Sequence, residues 1–238
     1  MRLILIFFVG LNSILFGQVD LNKKIYNIEV VDKKTLKIDT KELKIGQSGI
    51  IINNYMDNEN TIIGSAFIKS IAKDHSILEF RKNDIFDQNA IPRSKMSPKN
   101  GDKFVANHLY NNSLLIVPNN ETKKVIKKIY TNQKFFNEDF FASYLKLNDT
   151  PIPKKNDMIE FCKAQQIGTI FIVANNFLYI LDANSFTLID KNEIDFESND
   201  IVLPFFTKIK EIERGFWDFG DERIKNYDKH YIDMIGIK

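Results

Sequence analysis

Between Gly168 and Ile194 the chain reads GTIFIVANNFLYILDANSFTLIDKNEI, apolar and polar positions alternating in short runs with Asn-rich punctuation between them. Alternation bounded by Asn and Ser clusters predicts three consecutive strands, Thr169–Val173, Phe177–Asp182 and Phe186–Asp190. Tight turns at Asn175-Asn176 and Ala183-Asn184-Ser185 join them into a β-meander.

Upstream, the period-two pattern dominates from Val19 to about Asn119. Ile25–Val31 and Thr35–Asp39 alternate around a turn at Asp32-Lys33-Lys34 and read as a hairpin. Ser48–Tyr55, Asn60–Ile71 and Ser76–Arg81 follow, with Gly46 and Gly49 marking a turn or bulge before the first of them. An irregular stretch, Asn83–Lys99, separates these from two short strands at Lys103–Asn107 and Leu114–Val117. Many short antiparallel strands at this spacing predict a small barrel. Asn100-Gly101-Asp102 could form a ligand loop, but Asn-Gly between extended segments is first of all turn chemistry.

Past Pro118-Asn119-Asn120 the period changes to that of a helix. Glu121–Asn132 sets Val125, Ile126, Ile129 and Tyr130 at helical spacing against Lys123, Lys124, Lys127 and Lys128, a face read as solvated rather than as a dock for an acidic partner. A second helix, Asn137–Leu147, turns Phe140, Phe141, Tyr144 and Leu145 to a core and takes Asn137 as its cap. Pro151 and Pro153 stop it, and a third helix from about Lys155 to Ile167 ends at Gly168. Ile201–Ile212, interrupted by Pro204, reads as an edge strand or extended segment. The tail carries Phe216, Trp217 and Phe219, then Ile224, Tyr227, Tyr231 and Ile235 on a short amphipathic helix. The fold class expected is α+β: a small antiparallel β-barrel-like domain at 18–119, an α/β domain at 120–213 with a β-meander and helices on one face, and an aromatic C-terminal segment at 214–238.

The first 17 residues read as a signal peptide, with Arg2 ahead of an apolar run from Leu3 to Phe16 too short and too interrupted for a comfortable span. Cleavage near Gly17-Gln18, or retention as an uncleaved anchor, are the two outcomes this stretch allows. Export follows in either case. Cys162 is the chain's one cysteine, so no internal disulfide forms and the core alone holds the fold. It reads as a small buried hydrophobe within the third helix.

With 238 residues and 44% apolar content the chain has ample material for a packed core. Its 33 basic and 31 acidic residues leave a net charge of +2, too little to pull the molecule as a whole onto nucleic acid. Of the 33, 28 are Lys and five are Arg, a poor supply of the bidentate clamps that phosphate chemistry favours. His75, His108 and His230 lie far apart, and the chain has no HExxH, P-loop, GxGxxG or nucleophile elbow. Asp195, Glu197 and Asp200 invite calcium, yet the glycine and terminal glutamate of a calcium loop are missing and a solvated turn is the better reading. Catalytic, cofactor and metal residues are therefore expected to be none.

Ile45-Gly46-Gln47-Ser48-Gly49-Ile50-Ile51, Pro92-Arg93, Lys99-Asn100-Gly101-Asp102 and Leu114-Leu115-Ile116-Val117-Pro118-Asn119 form an ordered series that Gly168–Ile180, Pro204-Phe205-Phe206 and Lys225-Asn226-Tyr227 with Tyr231 continue. Taken together these stretches resemble the N-terminal module of the plasminogen-binding protein family PgbA/PgbB of bacterial cell surfaces. The resemblance implies an exported, envelope-associated, non-catalytic protein that binds plasminogen. It singles out Lys238, because a terminal lysine joins an ammonium and a carboxylate on one residue, the zwitterion that kringle lysine-binding sites accept. The alternative is a periplasmic scaffold or assembly factor whose partners are envelope proteins. A hydrolase would need distant His and acidic residues to converge in space.

Overall fold

The computed structural model describes residues 19–54, 60–82, 96–194, 200–209 and 224–237. Seven strands build the first sheet: β1 (Lys24–Asn27), β2 (Glu29–Val30), β3 (Thr35–Ile38), β4 (Ser48–Asn54), β5 (Asn60–Ile71), β6 (Ser76–Lys82) and β7 (Lys103–Ala106). Their order is β1-β7-β4-β5-β6-β3-β2, antiparallel throughout. The two outermost strands are separated in sequence by Ile28 alone, whose N–H donates to the Asp102 carbonyl at 2.9 Å while its own carbonyl accepts from Gly101. One stretch of chain thus pairs with β7 at its start and β3 at its end, which nearly closes the sheet into the expected barrel and leaves it almost without free edges.

The barrel interior is filled. Leu36, Ile38, Ile51, Ile68, Leu78 and Phe104 are essentially inaccessible and pack with Ile28, Leu43, Ile63, Ala66 and Ala106. Alternation does the work: in β3 the apolar Leu36 and Ile38 are buried while Thr35 and Lys37 face partly outward. Register shifts at Ile51/Ile52 in β4 and at Ile68/Ser70 in β5 bend the strands as barrel closure requires.

The second sheet joins β8 (Asn112–Ile116), β9 (Lys134–Phe135), β10 (Thr169–Ala174), β11 (Phe177–Asp182) and β12 (Leu188–Glu193) in the order β12-β11-β10-β8-β9. The meander is present as β10–β11–β12, its last strand starting at Leu188 because Phe186 sits in a left-handed turn at φ 54°. Leu114–Val117, read with the barrel strands, instead runs as β8 in the middle of this sheet, parallel to β10 and to β9. Its residues are apolar on both faces, the mark of a strand buried on both sides rather than of one half-exposed in a barrel wall.

Four described helices cover this sheet: α1 (Asn120–Ile129), α2 (Glu138–Leu147), α3 (Lys155–Ala164) and α4 (Tyr227–Ile235). Three of them share a face, as expected. Phe141 and Leu145 of α2, Met158, Phe161 and Cys162 of α3, and Tyr227 and Tyr231 of α4 pack with Leu114, Ile170 and Ile172. Helix α1 lies on the other face, where Ile126 and Tyr130 meet Leu115, Phe171, Val173 and Ile180. The crossover from β8 to β9 through α1 and that from β9 to β10 through α2 and α3 therefore lie on opposite faces of the sheet.

The cap expected at Asn137 is in place, and Asn119 and Asn226 cap α1 and α4 in the same way. Asn119 Oδ1 accepts from Thr122 N at 2.8 Å, Asn137 Oδ1 from Asp139 N at 3.1 Å, and Asn226 Oδ1 from Lys229 N at 2.9 Å. Gly168 does not end α3, however. The helix stops at Ala164 and Gln166 takes the left-handed position at φ 54°. Gly168 serves close packing: a Cβ there would lie 2.5 Å from the carbonyl carbon of Leu109. Residues 201–209 form no strand: the segment bends at 203–205 beside β8's continuation, Val202 N donating to Pro118 O and Phe206 N to Val117 O.

Candidate functional site

The barrel meets the second sheet through a buried polar cluster. Asp182, at the end of β11, accepts hydrogen bonds from Ser48 Oγ, from Tyr110 Oη at 2.7 Å, and from the N–H groups of Ser185 at 2.6 Å and Asn184 at 3.1 Å. Tyr110 also accepts from Ser48 N at 3.0 Å. Burial is the largest influence on the Asp182 carboxyl and raises its pKa, the hydrogen bonds from Ser48, Tyr110 and Ser185 offsetting it only in part. Beside this cluster Gly46, at φ +90°, lies so close to Thr187 that an added Cβ would come within 2.4 Å of it. Lys44 Nζ reaches Asp190 Oδ1 at 3.0 Å, and Val19 N donates to the same carboxylate at 2.9 Å. Burial pushes the Asp190 carboxyl up, but Val19 and Lys44 together outweigh it and hold it low. Asp182 is wholly buried and accepts from four donors. The cluster locks the layers together.

The open cavity lies next door. A cleft of about 670 Å³ is bounded by residues 19–23, by the β7–β8 connection at 107–109 and 111, and by the turn after α1 at 129–133. Asn107 and Leu109 are both left-handed, at φ 57° and 67°, a conformation that a branched residue such as leucine seldom takes. The strain is held from several sides. Asn107 Nδ2 donates to the carbonyls of Asp20 and Asn22, its Oδ1 accepts from Gln47 Nε2, and the Leu109 peptide rests against Gly168. His108, half-buried between these two residues, has its pKa lowered by burial and by the charge of Lys23. Lys23 and Ile129 are exposed on opposite walls.

Lys238 lies outside the described residues, as do the 1–17 leader with its cleavage point, Phe216, Trp217 and Phe219, and Asp195 and Glu197 of the acidic run. Cys162 is buried, which pushes its thiol well above the usual range and leaves it unreactive in the folded chain. The three histidines stay apart: His75 contacts Asp74 at 2.7 Å, His230 Nε2 contacts Pro153 O at 3.1 Å, and His108 faces the cleft. Among the described residues no cluster of three His, Cys, Asp or Glu side chains is placed to hold a metal. Asn100-Gly101-Asp102 is a turn that buckles the barrel: Asn100 Oδ1 accepts from Val30 N and Asp102 from Lys99 N and Asn53 Nδ2. The lysine face of α1 is three-quarters solvated, since Lys124, Lys127 and Lys128 are exposed whereas Lys123 is turned inward onto Glu138.

Sequence reasoning missed the cleft and the Asp182 cluster alike. Residues 48, 110 and 182, or 23, 108 and 129, share no local pattern and meet only through the pairing of two sheets. The faint local signal was Asp182 itself, an acid closing a run of five apolar residues.

No solved structure matches the chain. By sequence it is 28% identical over 214 residues to the plasminogen-binding protein PgbA of Helicobacter pylori strain J99, and 27% identical over 214 residues to that of strain 26695. Each alignment covers 88% of this chain but only 47% and 46% of the respective relative, so the chain spans about half the length of these curated relatives. The model of the family described as plasminogen-binding protein PgbA N-terminal matches residues 21–235, from the first residues of the cleft to the last turn of α4, and the chain belongs to this family.

Proposed function

We propose that this chain is an exported, non-catalytic binding protein of the cell envelope or surface whose partner is plasminogen, engaged through lysine side chains. One observation carries the reading: the family match runs from residue 21 to residue 235, and the relatives it brings are named for plasminogen binding. Among the described residues no helix is long and apolar enough to cross a membrane.

Lys238 is the contact proposed first. A kringle lysine-binding site pairs acidic groups with a lysine ammonium, which the Lys238 side chain supplies on an aliphatic stem. Exposed lysines such as Lys124, Lys127 and Lys128 supply the same group.

Capture on immobilised plasminogen tests this. The purified chain is expected to bind, to be displaced by ε-aminocaproate, and to lose that binding on deletion of Lys238. Binding insensitive to the lysine analogue and to the deletion would refute the lysine mechanism. Protease applied to intact cells separates the surface protein from a periplasmic scaffold: digestion supports the first, and protection that ends only when the outer membrane is opened supports the second.

A further inference from the structure

We propose that the cleft bounded by residues 19–23, 107–111 and 129–133 is a docking groove for an acidic peptide segment of a partner protein. The chain as a whole is nearly neutral at +2, but the charge is not evenly spread. The stretches 19–24, 107–111 and 127–134, which build the cleft and its approaches, hold five lysines, Lys23, Lys24, Lys127, Lys128 and Lys134, against a single acid, Asp20. That acid is held by Lys24 at 3.1 Å, and Lys24 also pairs with Glu42 at 3.1 Å. Asp190, a further carboxylate at this corner, is buried and paired with Lys44 and the Val19 N–H. Lys23, Lys127, Lys128 and Lys134 are all exposed, so these stretches carry a local excess of positive charge.

The groove between them is not uniformly polar. Ile129 is 55% exposed, and Leu21 and Leu109, both part-exposed, line the same cleft, so apolar side chains stand beside polar ones in a lining whose approaches are cationic. Asn132 beside it offers a side-chain amide, which donates and accepts as a peptide main chain requires, whereas Gln133 Oε1 already accepts from Ser113 Oγ at 3.0 Å. An acidic segment carrying one apolar side chain meets all three features. A concave groove whose floor is a strained, over-determined loop suits such a segment better than it suits a flat lipid surface. Electrostatic complementarity of this kind acts mainly on encounter and specificity, so binding should weaken steeply with salt.

The test uses fluorescein-labelled Asp-Glu-Leu-Asp-Glu amide, its neutral counterpart Asn-Gln-Leu-Asn-Gln amide, and fluorescence anisotropy with the purified chain. Saturable binding of the acidic peptide at low ionic strength is expected, weakened about tenfold or more at physiological salt, with the neutral peptide not bound. Lys23→Glu, Thr131→Glu and Ile129→Asn should each weaken it about tenfold, while thermal unfolding stays unchanged because all three positions are exposed. Absence of saturable binding, equal binding of the neutral peptide, or binding indifferent to Lys23→Glu and Thr131→Glu would overturn the assignment. So would sedimentation of the chain with phosphatidylglycerol vesicles that the acidic peptide does not reverse, which would mark the patch as lipid-binding. Addition of ε-aminocaproate should leave peptide binding intact, so this proposal and plasminogen capture stand or fall separately.

Discussion

Tyr110 and Asp182, 72 residues apart in the chain, meet with phenol donating to carboxylate at 2.7 Å where both side chains are wholly buried. Tyr110 stands in the connection between the barrel and the second sheet, and Asp182 closes the second strand of the meander. Ser48, the first residue of β4, completes the contact from the barrel side by donating its hydroxyl to Asp182 and its N–H to Tyr110. Three polar groups from three elements therefore fix how two sheets lie against each other, a task that apolar contact alone does with less directional precision.

Tyr110→Phe is expected to destabilise the chain by about 1–3 kcal/mol, because it leaves the buried Ser48 N–H without its acceptor and takes one of four donors from the Asp182 carboxyl. Urea unfolding followed by circular dichroism measures it. A loss below about 0.5 kcal/mol would show that the cluster relaxes without the phenol.

The pH dependence of the same cluster has a defined sign. The folded pKa of Asp182 is raised, chiefly by burial, so the folded chain holds the proton more tightly than the unfolded one. The group's contribution is then fully present below the ordinary carboxylate range and is lost as pH rises through the raised value. Asp182→Asn cannot titrate. Measured from about pH 4 upward, the stability of the parent chain should fall relative to Asp182→Asn; a difference that stays flat or grows with pH would contradict the assignment.

How much of this was legible beforehand depends on range. The meander, the barrel's alternating strands and the Asn137 cap are local matters, written in periods of two and 3.6 and in turn chemistry, and the sequence carried them. Leu114–Val117 belongs to the second sheet and not to the barrel, and a short apolar strand looks the same in either; its strand partners, at Phe135 for Ser113 in β9 and Thr169 for Ser113 in β10, are distant in sequence. Gly168 looked like a helix stop, since glycine after a helix usually is, while the actual demand on it comes from the Leu109 peptide packed against it. Lysine positions were plain in sequence, but not that Lys123 turns inward while Lys127 and Lys128 stay at the approach to a cleft.

Cys162 offers a readout of unfolding. With the thiol buried and its pKa pushed up, the nucleophilic thiolate is scarce in the folded chain. Modification by a disulfide reagent should be slow under native conditions and rise in step with the unfolded fraction as urea is added. Rapid stoichiometric labelling without denaturant would mean that the face carrying α2, α3 and α4 opens locally.

The ion pair of Lys123 and Glu138 joins α1 to α2, and these helices lie on opposite faces of the second sheet, so the pair clasps the sheet from both sides. Glu138 is 3% exposed, and Lys123 also sits 5.6 Å from the centre of the Phe206 ring. Lys123→Met keeps most of the stem but leaves a buried carboxylate without its cation, a change that costs about 3–5 kcal/mol in comparable settings. Two features argue for the lower end: Glu138 occupies the first turn of α2, where the helix dipole favours its charge, and methionine retains packing against Phe206. Adding Glu138→Gln should recover much of the loss, because a neutral amide needs no counterion. A double-mutant cycle of these two changes is therefore expected to give a coupling of about 2 kcal/mol. A coupling near zero would mean that the helix dipole alone holds the Glu138 charge and that apolar contact by itself keeps α1 and α2 in place.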